Sequence, residues 1–351
     1  MARPKTTRAA ILTELRKPLA IAEIGLPERL EPGQVLVRVR CSGICGSQLG
    51  EIDGAKGEDK FLPHLLGHEG SGEVLEIGPG VRHVSPGDIV VLHWRKGRGI
   101  ESATPAYTWN GRKVNAGWVT TFNEYAVVSE NRLTTIPADV DAEVAALFGC
   151  AVTTGFGVVQ NNARVRIGES VVVFGAGGVG LSIVQAAALV TARPIIAVDL
   201  YDGRLALAKT MGATHLVNAK REKARDRIRE IVGPAGVDVF VDNTGLPEII
   251  QLGYELTAPQ GRVTLVGVPR KGNDISIFSL PLHFGKVLSG SHGGEAQPAD
   301  DIPRYLRLYR SGDIRLKELV TQRFPLERIN DAIAGMRDGT VSGRCMVAMQ
   351  A

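Results

Sequence analysis

Three residues with the chemistry of metal ligands stand in glycine-flanked turns: Cys45 in Gly43-Ile-Cys-Gly-Ser47, His68 in Gly67-His-Glu-Gly70, and Cys150 directly after Gly149. Two thiolates and an imidazole suit zinc, and three protein ligands leave a fourth position for water or substrate, as a catalytic zinc requires. Spacing alone does not select this reading. The three lie far apart, no C-x-x-C is present, and a single cysteine beside glycine is more often a small buried residue.

A second constellation is continuous in sequence. The β-branched run Val171-Val-Val-Phe174 leads into Gly175-Ala-Gly177-Gly178-Val179-Gly180, then an apolar helical stretch, then Ile195-Ile-Ala-Val-Asp199. This is strand, G-x-G-x-x-G turn, helix, strand and acid, the pattern of a dinucleotide site. The first glycine permits the turn, the second lets backbone approach a diphosphate, and the third packs helix on strand. The diphosphate meets unpaired N–H groups at the helix N-terminus, and Asp199 is placed for a ribose.

Around these residues the pattern predicts two kinds of architecture. From residue 8 to Val128, short alternating runs such as Val35–Arg40, Gly72–Gly78 and Asp88–Leu92 are separated by Pro-Gly turns, which describes a compact barrel. From Ser170 to Val268 strands alternate with helices, which implies a parallel, doubly wound sheet, so the fold class is α/β. Residues 94–118 break the barrel rhythm, with Trp94, Tyr107, Trp109 and Trp118 among five basic residues. They read as a lobe or loop beside the barrel, either an aromatic mini-core with a solvated rim or a wall that receives a polar or anionic substrate. His93 and Trp94, at the end of a barrel strand, are the candidate substrate residues. Helices at 300–309 and 326–336 and a last strand at Gly343–Met349 are expected to return to the first domain.

Composition narrows the function classes. With 44% hydrophobic and 22% charged residues the 351-residue chain is an ordinary globular sequence, long enough for two cores. The net charge of +4 is spread along the chain, so no nucleic-acid partner is expected. No run approaches a membrane span, and the N-terminus lacks an apolar signal core, which predicts a cytoplasmic protein without a membrane partner. Four scattered cysteines are too few for a disulfide framework.

Taken together, Gly43-Ile-Cys-Gly-Ser47, Gly67-His-Glu69, Gly149-Cys150 and Gly175–Gly180, in this order, resemble the zinc-dependent medium-chain alcohol dehydrogenases. The likeness extends through Val266-Gly-Val268 and Gly343-Arg344. It implies a GroES-like β-barrel catalytic domain at 1–152 and 292–351 and a Rossmann NAD-binding domain at 153–291. It implies zinc on Cys45, His68 and Cys150, with Glu69 an occasional ligand paired with Arg344. Ser47 would start the proton relay and Thr154 would line the nicotinamide. Gly175, Gly177, Gly178, Val179, Gly180, Asp199, Arg204, Val268 and Arg344 would contact NAD. Asp199 followed by Leu200 and Tyr201, not by a basic pair, favours NAD over NADP. By the same likeness, residues 275–294 would pair chains into a homodimer or homotetramer.

Three departures are visible. The region Leu92–Trp118 holds none of the four cysteines of a structural zinc lobe, so a single catalytic zinc is expected. Gln48 stands where an acid often supports the histidine ligand, and Gly50 where some members carry a relay histidine. The expected activity is hydride transfer between a secondary alcohol and NAD, with a polyol, cyclitol or sugar derivative preferred. The alternatives are a glutathione-adduct or aldehyde-type dehydrogenase, suggested by Gly149-Cys-Ala-Val-Thr-Thr-Gly155, and a non-catalytic NAD-binding regulatory protein.

Overall fold

A computed structural model describes residues 3–350. In chain order the first elements are β1 (Thr6–Leu12), β2 (Ala20–Gly25), β3 (Gln34–Gly43), α1 (Gly46–Ile52), β4 (His64–Leu65), β5 (Glu69–Ile77) and β6 (Ile89–His93). There follow β7 (Ala106–Trp109), β8 (Arg112–Asn115), β9 (Tyr125–Ser129), β10 (Leu133–Ile136), α2 (Ala142–Leu147) and α3 (Ala151–Gly157). Next comes the alternation β11 (Val171–Phe174), α4 (Gly178–Leu189), β12 (Ile195–Asp199), α5 (Asp202–Thr210), β13 (His215–Asn218), α6 (Ala224–Val232), β14 (Val237–Asp242), α7 (Pro247–Leu256), β15 (Thr257–Leu265) and β16 (Val287–Gly290). The chain ends with α8 (Pro298–Arg310), β17 (Val320–Pro325), α9 (Ile329–Asp338) and β18 (Arg344–Ala348).

Two compact units result. The first runs to Ala151 and regains Gln297–Arg310 and the segment from Val320 on; the second is Val152–Ala296 with Ser311–Leu319.

In the first unit a closed barrel, β1-β2-β7-β8-β4, accompanies a sheet ordered β10-β6-β5-β3-β18-β17, with β9 also paired to β3. Strand β3 is central because both its faces are apolar. Val35, Val37 and Val39 enter one core cluster and Leu36 another, as a period of two demands. The closing strand β18 pairs antiparallel with β3, Met346 opposite Gly43. In the second unit all six strands are parallel, in the order β13-β12-β11-β14-β15-β16. The order reverses between β11 and β14, and the turn after β11 therefore opens at the switch point where such sheets bind ligands. Every residue of β11 and β12 is buried, the continuous apolar run expected of strands covered on both faces.

Two expectations are corrected here. Residues 94–118 are not a separate lobe: they supply the hairpin β7–β8 of the barrel, turning at Asn110-Gly111, where both residues have positive φ (49° and 71°). That is the two-residue turn whose twist suits a hairpin. The three tryptophans share no core. Trp109 packs with Tyr107 on the barrel interior, Trp118 is 43% exposed with Arg132 over its ring at 5.3 Å, and Trp94 lies beside His68. Nor does His93 face a substrate. It is fully buried, its Nδ1 bonds the Arg95 carbonyl at 2.7 Å, and its Nε2 accepts from Thr134 Oγ1 at 2.9 Å, which uses both ring nitrogens.

Burial pushes the His93 pKa from 6.5 down to about 4, opposed by the Arg95 carbonyl and aided by the Arg132 charge. Between those values the unfolded chain binds a proton that the folded chain excludes, so stability falls as pH falls through this window. The contribution is on the order of 3 kcal/mol at the acid end. His93→Gln is therefore expected to flatten the dependence of unfolding free energy on pH between about 6.5 and 4, measured by urea titration. An unchanged slope would show that His93 is not the group excluded.

Candidate metal centre and nucleotide turn

Cys45, His68 and Cys150 converge in the first unit although they come from three separate connections. The sulfurs of Cys45 and Cys150 are 3.8 Å apart, and one ligand atom from each of the three residues lies within 4.8 Å of the others. A tetrahedral ion with Zn–S bonds of about 2.3 Å holds two sulfurs about 3.8 Å apart, whereas a disulfide draws them to about 2 Å. The arrangement thus fits a zinc ion, and both cysteines are free thiols. No other group of three or more His, Cys, Asp or Glu converges in this way among the described residues.

Glycines explain how the ligands reach one another. Gly67, with φ of +94°, precedes His68, and a Cβ there would lie 2.3 Å from Thr121 Oγ1. A Cβ on Gly149 would lie 2.4 Å from the Leu92 carbonyl oxygen and 2.8 Å from Glu69 Cα, so only glycine lets the Cys150 turn approach β5 and β6. Cys45 immediately precedes α1, and its backbone N–H donates to Gln48 Oε1 at 2.9 Å. Gln48 thus supports the backbone of a cysteine, and its buried Nε2 has no hydrogen-bond partner among the described residues. Ser47 is half-buried in the first turn of α1.

Glu69 and Arg344 lie against this cluster. Glu69 is fully buried; its Oε2 is 3.2 Å from Arg344 Nη2, and its Oε1 accepts from the Ala151 N–H at 3.4 Å. Glu69 is therefore turned to Arg344 and is not among the three converging ligands. Arg344 Nη1 donates to the Ile44 carbonyl at 2.8 Å.

The charges interact strongly. Burial raises the Glu69 pKa to about 7, with Arg344 opposing. Burial lowers that of Arg344, but the negative charges of Glu69, Cys45 and Cys150 leave it raised overall. Cys45 is held well below the ordinary thiol range, first by the hydrogen bond from the Cys150 thiol, which outweighs burial, then by Arg344 and His68. Cys150 is correspondingly pushed up. Burial disfavours charge on His68, yet its hydrogen bond to Cys45 and the Cys45 charge raise its pKa overall. A thiolate ready for a cation is thus built into the fold. Trp94 approaches His68 edge-on, ring centroids 6.4 Å apart, and the Arg95 guanidinium lies 5.7 Å from the Trp94 ring centroid.

In the second unit the three glycines of the turn have three distinct surroundings. Gly175 has φ of +96°, a Cβ on Gly177 would meet nothing within 4 Å, and a Cβ on Gly180 would lie 2.0 Å from the Gly175 carbonyl oxygen. The first turns the chain, the last allows helix and strand to touch, and the middle one leaves open space before the start of α4, as a diphosphate requires. Gly178 and Val179 form the first turn of α4. Asp199 ends β12 with Oδ2 accepting from the Ala176 N–H at 2.7 Å, and Arg204 Nη1 lies 3.8 Å from its Oδ1. Thr154 is buried in α3, and its hydroxyl has no hydrogen-bond partner among the described residues. Val268 lies beyond the end of β15 and is 53% exposed. The pattern of residues does not point to Lys220, which comes over the Tyr201 ring at 4.1 Å.

A barrel unit with a Cys-His-Cys cluster and a six-stranded parallel sheet with a G-x-G-x-x-G turn define a medium-chain dehydrogenase. Residues 31–138 match the alcohol dehydrogenase GroES-like domain, and residues 178–311 match the zinc-binding dehydrogenase domain. The chain is 34% identical to an S-(hydroxymethyl)glutathione dehydrogenase of Synechocystis sp., covering 95% of this chain and 97% of that one. Its fold is similar to an alcohol dehydrogenase zinc-binding domain protein from Burkholderia ambifaria, with TM-score 0.89, 31% identity and 99% of each chain covered. Benzyl alcohol dehydrogenase from Acinetobacter calcoaceticus gives TM-score 0.87 at 30% identity, over 99% of this chain and 100% of that one. The chain belongs to the zinc-dependent medium-chain alcohol dehydrogenase family.

Removing one half of the buried ion pair tests the electrostatic reading. Arg344→Met, which strands the Glu69 carboxylate, is expected to cost about 3 kcal/mol of unfolding free energy in guanidinium. The double variant with Glu69→Gln is expected to recover at least about half of that. Additive losses in the double variant would show that the two side chains do not depend on one another.

Proposed function

We propose that the protein is an NAD-linked alcohol dehydrogenase holding one zinc per chain on Cys45, His68 and Cys150. The observation that carries this is the 3.8 Å separation of the two sulfurs with the imidazole beside them. Zinc supplies Lewis-acid polarisation of the alcohol or carbonyl oxygen, and NAD supplies the hydride acceptor. Glu69 and Arg344 keep the charge behind the ligands balanced. Ser47, two residues from Cys45, takes up the hydroxyl proton and passes it toward solvent. The turn Gly175–Gly180 receives the diphosphate, Asp199 and Arg204 the adenosine ribose, and Thr154 lines the nicotinamide with its unused hydroxyl. Val268 lies on the same cofactor path.

The substrate we propose is a secondary alcohol of the polyol, cyclitol or sugar-derivative class. Trp94 beside His68 offers an aromatic face to a sugar-like ring, and Arg95 offers a donor for its hydroxyls or an anionic group. The second reading is oxidation of a hydroxymethyl thiol adduct, favoured by the name of the Synechocystis relative. For oligomeric state we propose a homodimer or homotetramer assembled through residues 275–294, where Phe278 and Phe284 are 72% and 67% exposed next to edge strand β16. No helix among the described residues is long and apolar enough to cross a membrane; the location we propose is the cytoplasm.

Metal analysis is expected to find one zinc per chain, and Cys150→Ala is expected to lose it together with at least about a thousandfold in alcohol-dependent NAD reduction. NAD binding should survive that change. Full turnover by metal-free protein would overturn the zinc assignment. A panel of polyols, simple alkanols, benzyl alcohol and hydroxymethylglutathione compared by kcat/KM separates the substrate readings. Phe284→Asp is expected to shift the light-scattering mass toward that of one chain; a mass already that of one chain in the unaltered protein would refute the assembly.

A further inference from the structure

Behind the turn that carries His68 lies a pair of hydroxyls that the zinc reading does not use. Thr121, in the connection before β9, and Ser42, in β3, are both fully buried, and their side-chain oxygens are 2.6 Å apart. The Ser42 proton goes to a carbonyl, that of Glu69 at 3.2 Å or that of Gly43 at 3.3 Å, so the Thr121 hydroxyl donates to Ser42. Each carbonyl belongs to a ligand turn: Glu69 follows His68, and Gly43 opens the turn of Cys45. Thr121 also holds the His68 turn from both ends. Its backbone N–H and that of Phe122 donate to the Leu66 carbonyl at 3.1 and 3.2 Å. A Cβ on Gly67 would lie 2.3 Å from Thr121 Oγ1, and one on Gly70 would lie 2.9 Å from its Cγ2. One threonine side chain therefore fills the space between the two glycines that flank His68 and Glu69.

We infer that Thr121 is a positioning residue for the metal ligand His68, and that its hydroxyl, through Ser42, sets the spacing between the His68 turn and the Cys45 turn. The inference rests on the zinc reading above. A binding constellation works when its ligands are held within about 0.5 Å of their places, and groups that touch no ion supply that constraint. The Thr121 oxygen is small enough to sit against Gly67, whereas a methyl group in its place is wider and cannot donate to Ser42. Thr121→Val therefore keeps the side-chain shape, removes the hydrogen bond and presses on the residue before His68. Thr121→Ser keeps the hydroxyl and gives up only the methyl group beside Gly70. A pair that served packing alone would lower stability in such variants and leave the metal affinity where it was.

The test measures zinc affinity of the full chain by competition with a chromophoric chelator, and ligand geometry by the visible d–d bands of cobalt(II) bound in place of zinc. The melting temperature of the metal-free protein checks folding. Thr121→Val is expected to weaken zinc about tenfold or more and to shift the cobalt bands, while Thr121→Ser stays close to the unaltered chain in both. Ser42→Ala, which breaks the same bond without adding bulk, is expected to weaken zinc as well, and the double variant with Thr121→Val to lose less than the sum of the two. A folded Thr121→Val protein with unchanged zinc affinity and cobalt spectrum would overturn the inference, as would a Thr121→Ser protein impaired as much as Thr121→Val. Should Thr121→Val fail to fold, Ser42→Ala decides, and unchanged zinc affinity there would refute the positioning role. Failure of the unaltered chain to bind zinc at all would instead refute the reading on which the inference rests.

Discussion

The carboxylate of Glu69 is the constraint around which the first unit is arranged. It is fully buried beside two thiols and an imidazole, in surroundings where an isolated charge costs several kcal/mol. Its cation, Arg344, is supplied by the last strand of the chain. Strand β18 must therefore lie in one register against β3, with Met346 opposite Gly43, for the guanidinium to reach both Glu69 and the Ile44 carbonyl. Side chains are excluded on two sides: a Cβ at Gly43 would come within 2.9 Å of the Glu69 carboxyl carbon, and one at Gly149 within 2.8 Å of its Cα. The unit cannot be completed from its first segment alone, which explains why the chain returns to it.

Asp199 solves a similar problem by other means. Its charge is met by three backbone N–H groups, and its nearest guanidinium stands at 3.8 Å. Oδ1 accepts from two of these N–H groups and Oδ2 from one, so Oδ2 alone keeps a site for a further donor. Glu69, wedged between Arg344 and the Ala151 N–H, balances charge inside the fold. One acid is held by backbone donors and the other by a side chain and a backbone N–H inside the core.

These differences also decide what could be read from the sequence. The nucleotide turn was legible because its determinants are local: Gly175, Gly177, Gly180 and Asp199 belong to one strand-turn-helix-strand unit whose steric demands fall on consecutive residues. The Cys-His-Cys cluster was legible only through its resemblance to a family, since three separate connections supply it and no spacing rule links them. The 94–118 hairpin has a local sequence signal, Asn110-Gly111 between alternating runs, but the tryptophans and basic residues around it break the two-residue period that would mark its strands. For His93 no such signal existed. Its partner Thr134 comes from β10, paired with β6 across the sheet, and a lone histidine after an apolar run does not reveal it. Lys220 was hidden for the same reason, because only the β12–β13 register brings it to Asp199.

Local and long-range sites also differ in how they couple to folding. A dinucleotide turn formed within one βαβ unit exists once that unit exists, so a ligand there reports on the second unit. The metal cluster is assembled from the β3–α1 connection, the β4–β5 connection and the turn after α2, and its ligands meet only when β3, β5, β6 and β18 are in register. An ion bound to all three ties those segments together and draws its binding energy from the folded arrangement alone. A metal ion binds thiolates and a neutral imidazole, so the affinity of the cluster for a cation rises with pH.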